Sequence, residues 1–203
     1  QMENYVEARF DFNVVIGLNN AIAPAWAHSG WASYHLARYQ EAFHDEDKAL
    51  SLRPGYWLAL YRRGVVRISL KQYKAADTDL TRSLSMRKYA QAYYHRGVVR
   101  SYQNRYEAAI ADFTSALGRQ PGLLQAQLHR GILYSKLDRF PEAIADFNAV
   151  LAKEPHNGKA YYNLGIISYK KQEKEKARRL WQKAYQSGDE RGLVLIKKYF
   201  HNE

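Results

Sequence analysis

The chain has no cysteine, two methionines and five prolines among its 203 residues. Without cysteine there is no disulfide framework and no thiolate metal site, an absence that fits either redox compartment. No apolar run approaches the ~18 residues that a membrane-spanning helix needs. No leader is visible in the sequence, and a cytoplasmic place is the expectation. Also missing are a glycine loop placed after a strand to cradle phosphate, an HExxH pair, a clustered pair of acids and a Ser/His/Asp set. An enzyme, a cofactor and a bound metal are therefore not expected.

Charge and periodicity are what the sequence does have. Lysine and arginine number 31 against 20 acids, a formal net charge of +11, spread along the whole chain rather than gathered in one patch. Such a balance favours acidic partners, anionic lipid or nucleic acid, and it equally fits an ordinary solvated surface. Gly30, Gly64, Gly97, Gly131 and Gly165 follow one another at steps of 34, 33, 34 and 34 residues. Twelve positions after each stands Ala42, Ala76, Ala109, Ala143 or Ala177, and sixteen after the last four stands Leu80, Phe113, Phe147 or Trp181. A fixed period of this length means stacked copies of one unit, each covering its neighbour's apolar face.

These residues and spacings resemble the tetratricopeptide repeat. The resemblance implies an all-α fold, a right-handed superhelical solenoid of antiparallel helix pairs that binds proteins or peptides. Five full repeats are expected at 23–56, 57–89, 90–123, 124–157 and 158–191. Residues 1–22 fall in the same register, Ala8 lying 34 before Ala42, and read as a lone second helix, either half of an upstream repeat or an N-terminal cap. Residues 189–203 read as a closing helix that caps the last repeat or offers Leu193, Val194, Leu195, Ile196, Tyr199 and Phe200 to a homodimer or partner. Pro24 and Pro141 fit helix starts, and Pro54, Pro121 and Pro155 fit the links after second helices. The second repeat is one residue short near Ser85–Tyr89, which predicts a tighter link.

Aligning the repeats with one another separates structural positions from variable ones. Arg63, Arg96 and Arg130 precede the marker glycine, and Asp79, Asp112 and Asp146 follow sixteen residues later, while the fifth repeat has Leu164 and Leu180. This paired exchange predicts a salt bridge between the two helices of each unit, with ligand binding as the other use of these arginines. Tyr39, Tyr73 and Tyr106 are expected to open second helices and pack between units.

By resemblance, first helices line the concave groove. Two residues before the glycine that gives His28, Arg62, His95, His129 and Asn163, and one after it Trp31, Val65, Val98, Ile132 and Ile166. One turn on, Tyr34 is joined by His35 and Tyr102. An apolar floor flanked by donors suits a protein or peptide segment of acidic and apolar character. The histidines are expected to act as pH-sensitive contacts rather than metal ligands. The chaperone-tail clamp known in this family requires Asn after the glycine, and none is there, although Lys159 and Asn163 match fragments of it. The alternative is RNA, suggested by net charge and by aromatics interleaved with Arg and Lys.

Overall fold

The computed structural model describes residues 2–200, and among these there are twelve α-helices and no strands. In order they are α1 (Met2–Leu18), α2 (Ala23–His35), α3 (Tyr39–Leu52), α4 (Trp57–Ser69), α5 (Tyr73–Met86), α6 (Ala90–Tyr102) and α7 (Tyr106–Arg119). There follow α8 (Leu124–Lys136), α9 (Phe140–Lys153), α10 (Gly158–Lys170), α11 (Lys174–Gln186) and α12 (Arg191–Tyr199). The chain divides into two compact units between Arg119 and Gln120.

Within the first unit each helix packs on the next, and the first helices also meet, α2 on α4 and α4 on α6. The second unit repeats the pattern from α8 to α11, with α8 on α10 and α12 closing on α11. Marker glycines explain how closely the paired helices approach. A Cβ on Gly97 would stand 2.8 Å from the Phe113 ring, and one on Gly131 2.9 Å from Phe147. The alanines twelve positions on are fully buried beside them.

The turn inside each pair is three residues long and has a left-handed residue at its centre: Ala37, Lys71, Asn104, Asp138 and Gln172, at φ of 56–65°. The next amide donates to a carbonyl five residues back, as Arg38 does to Ser33 and Arg105 to Arg100, both at 2.9 Å. This closure satisfies the end of each first helix. None of the five is glycine, so the periodic glycines do not mark the turns. Pro24 and Pro141 lie in the first turns of α2 and α9. The links after second helices are four residues long, except Arg87–Tyr89, which is three and runs extended, as the missing residue predicts.

The expected bridges are present and bidentate. Arg63 reaches Asp79 at 2.8 and 2.8 Å, Arg96 reaches Asp112 at 2.9 and 2.7 Å, and Arg130 reaches Asp146 at 2.9 and 2.7 Å. A second arginine joins two of them, Arg67 on Asp79 at 2.6 Å and Arg100 on Asp112 at 2.9 Å. The aspartate side chains are about 95% buried. In the last pair Leu164 and Leu180 join one apolar cluster instead.

Helix α1 takes the place of a second helix in the predicted register. Ser29 Oγ lies 3.2 Å from Asn13 Oδ1, in the place where Arg63 one repeat later donates to Asp47 at 2.6 Å. Helix α12 turns Leu195, Ile196 and Phe200 toward Trp181, with Tyr199 against Tyr169 and Trp181. Leu195 thus belongs to the inward face of this helix, and Val194 stays exposed.

Candidate functional site

A groove of about 1160 Å³ lies within the second unit. One wall is α8, which contributes Leu124, Leu128, His129 and Ile132. The opposite side is built from the link Glu154–Asn157, the start of α10 with Lys159 and Asn163, and the turn Ser187–Glu190 with Arg191. The two sides differ in chemistry, with an apolar ladder at i, i+4, i+8 along α8 facing donors and charges.

Local bonds hold the polar side in place. Asn157 caps α10 by accepting from the Ala160 amide at 2.9 Å, and its own amide donates to Glu154 at 2.7 Å. The Asn163 amide donates to the Lys159 carbonyl at 2.7 Å. Asp189 accepts from the Arg191 guanidinium at 2.8 and 2.6 Å, and Arg191 lies over the Tyr162 ring at 4.2 Å. That pairing holds the Asp189 carboxyl below its ordinary range. A Cβ on Gly158 would come within 2.9 Å of Asp189, so α10 starts hard against the closing turn. Lys159 is exposed and near His129, and with burial it lowers that imidazole's pKa.

Three of the expected groove residues, His129, Ile132 and Asn163, meet here. Ile166 does not; it packs with the Trp181 and Phe200 cluster. The sequence reasoning did not assign Leu124, Leu128, Glu154, His156 or Arg191 to the site. Leu124 stands at the start of α8 and Glu154 and His156 in a link, where no packing rule fixes residue type, while Leu128 also belongs to the buried core beside Phe147.

In the first unit the remaining expected residues form an aromatic cluster. Trp31 stacks on Tyr34 at 4.9 Å, and Arg62 lies over Trp31 at 5.2 Å while donating to the Ala27 carbonyl at 2.9 Å. His35 and His28 stack on Tyr5 and Phe12 of α1 at 4.2 and 5.0 Å. His95 meets Tyr61 and Tyr94, Val98 is half-buried, and Tyr102 is exposed and stacked on Tyr73 at 4.8 Å. Arg62 and Val65, expected on the groove wall, are buried at 8% and 2% exposure, because helix-to-helix packing closes over them.

Burial lowers His28, His35 and His129, and pushes His95 down to about 4. The shift favours the uncharged imidazole in each.

Comparison with known proteins agrees with this architecture. One model of the tetratricopeptide repeat matches residues 128–191, and another matches residues 90–122. The chain carries tetratricopeptide repeats. It is similar to the crystal structure of YrrB, described as a TPR protein with an unusual peptide-binding site, at 23% identity and a TM-score of 0.79. That alignment covers 92% of this chain and 97% of YrrB. It is also similar to MamA, residue 41 to the end, from Desulfovibrio magneticus RS-1, at 27% identity and a TM-score of 0.68, over 74% of this chain and 86% of that one. PilF of Pseudomonas aeruginosa aligns at 21% identity and a TM-score of 0.75, over 92% and 87% of the two chains. No curated protein matches. The tetratricopeptide repeats thus account for the periodic glycines, the helix pairs and the paired Arg–Asp bridges in one register.

Proposed function

We propose that this protein is a non-catalytic interaction scaffold whose second-unit groove receives an extended segment of a partner protein. The observation that carries the reading is the two-sided groove: Leu124, Leu128 and Ile132 of α8, with His129 beside them, opposite Lys159 and Asn163 of α10. Apolar anchors of the segment seat on the α8 ladder, and acidic or carbonyl groups meet the donors, with Lys159 supplying the positive charge. His129 adds a hydrogen-bonding ring to the α8 wall,. The exposed Tyr102 and the Trp31, Tyr34 and His35 cluster of the first unit are further contacts for the same partner class. A polyanion reading is less favoured, since Arg63, Arg67, Arg96, Arg100 and Arg130 are occupied by buried aspartates.

The test is selection of a random peptide library on the whole chain, repeated with Leu128→Arg and Lys159→Glu. Peptides that alternate apolar and acidic residues, and lose retention on both variants, support the reading. Enrichment that ignores both variants, or none at all, overturns it.

A further inference from the structure

Basic residues occur in every repeat, but the last helix pair holds a surplus of them. Residues 170–200 carry ten lysines and arginines against four acids, so more than half of the chain's net +11 stands in this stretch. The excess begins at the turn between α10 and α11, where the seven positions Lys170–Lys176 contain four lysines. Their counterparts in the earlier repeats hold two lysines or arginines at most: Arg38, Lys71 with Lys74, Arg105, and Lys136 with Arg139. One exchange is specific. Each earlier second helix from α3 onward opens on an aromatic ring, Tyr39, Tyr73, Tyr106 or Phe140, whereas α11 opens on Lys174.

Helix α12 brings further charge to the same end of the pair. Tyr199 packs on Tyr169 at 4.5 Å, next to Lys170, and Arg178 lies over the Phe200 ring at 5.6 Å. Lys197 and Lys198 therefore stand at the end that already holds Lys170, Lys171 and Lys174, and all five lysines are exposed. Asp138 takes Lys170 at 2.8 Å and Glu173 takes Lys171 at 3.3 Å, while Lys174, Lys197 and Lys198 have no carboxylate partner among the described residues. Like charges gathered in this way repel one another and cost stability. A helix that only caps a repeat stack needs polarity, which lysine and glutamate in equal numbers would supply.

We propose that this end of the second unit binds an anionic lipid bilayer. A membrane surface presents negative charge over a plane, and a lysine cluster meets it without a pocket. Val194 shares the outward face of α12 with Lys197 and Lys198 and is 62% exposed, which adds a shallow apolar contact at the headgroup level,. Nucleic acid fits these residues less well, because its recognition draws on arginine forks and free ring faces. The cations here are lysines apart from Arg178, and the Tyr199 ring already has Tyr169 at 4.5 Å and the Lys198 ammonium at 4.9 Å. The surface is separate from the groove, whose lining includes none of these residues.

Cosedimentation of the whole chain with vesicles tests the proposal. Phosphatidylcholine vesicles holding about one-third phosphatidylserine are expected to retain the chain at about 0.1 M salt, and pure phosphatidylcholine vesicles to leave it in solution. Each lysine near such a surface changes partitioning about five-fold, so Lys174→Gln, Lys197→Gln and Lys198→Gln combined should weaken retention about 100-fold. Lys71→Gln, Lys74→Gln and Arg82→Gln remove the same charge from the first unit and should change retention less than about five-fold. All six positions are exposed, so both variants should keep the helical circular dichroism of the wild type. No retention on the anionic vesicles, an equal loss in the two triple variants, or stronger retention on single-stranded RNA through the same three lysines overturns the proposal.

Discussion

The pair α10/α11 closes on Leu164, Leu180 and Trp181, whereas α2/α3 puts Ser29, Asp45 and Glu46 at the same register positions. Both pairs keep the glycine and the buried alanine that set the approach of their helices. The frame therefore tolerates either chemistry, but the energetics differ. In α10/α11 a fully buried Trp181 provides packing that does not depend on pH. In α2/α3 Ser29 donates to Asp45 at 2.8 Å, while Glu46 is fully buried with neither carboxylate oxygen hydrogen-bonded among the described residues. Burial raises the Glu46 pKa well above its ordinary value, and Asp45 rises for the same reason. Between these extremes stand the three pairs with an arginine clasp on a buried aspartate.

Breaking the clasp is expected to have the largest effect. Asp112→Ala leaves the half-buried Arg96 without its carboxylate and Arg100 with Asp77 alone, and should cost about 3 kcal/mol, measured by urea unfolding,. Next comes conversion of α2/α3 to the apolar solution. Glu46→Leu removes an unsatisfied buried acid and should stabilise by about 1–3 kcal/mol at pH 7. The sign follows from the raised folded pKa: wild-type stability from this group is fully present below its unfolded value near 4.5 and falls as pH rises,. The advantage of Glu46→Leu should thus grow from acid toward neutral pH, and a constant difference across that range would contradict the buried-acid reading. A smaller loss, about 1 kcal/mol, is expected for Ser29→Ala, which takes the donor from Asp45. The smallest concerns the turns: Lys71→Gly at φ 58° should gain under about 1 kcal/mol in thermal unfolding,. Asn104→Gly should gain less, because asparagine tolerates this conformation better than lysine.

The period and paired substitutions made the frame legible in the sequence. Arg130 with Asp146, and their joint exchange for Leu164 and Leu180, revealed a contact because both partners change together. The site was less legible, for a physical reason. Repeat position tells which way a residue points, but not whether a neighbouring helix closes over it. Val65 and Arg62 share register positions with Ile132 and His129, yet the first two are buried in the first unit and the latter two line a groove. The polar wall at Glu154–Lys159 and Asp189–Arg191 escaped notice because links and helix starts follow no repeat rule. Buried Glu46 was visible only as a missing large apolar residue.

The central claim is that the groove between α8 and the start of α10 is where a partner binds. Titrating the isotope-labelled chain with a library-selected acidic, apolar peptide and following backbone amide shifts tests it directly. The account predicts that the shifts concentrate at Leu128, His129, Ile132, Lys159 and Asn163 and vanish in Lys159→Glu. Shifts confined to the outward faces of the second helices, with those five amides unmoved, would contradict it.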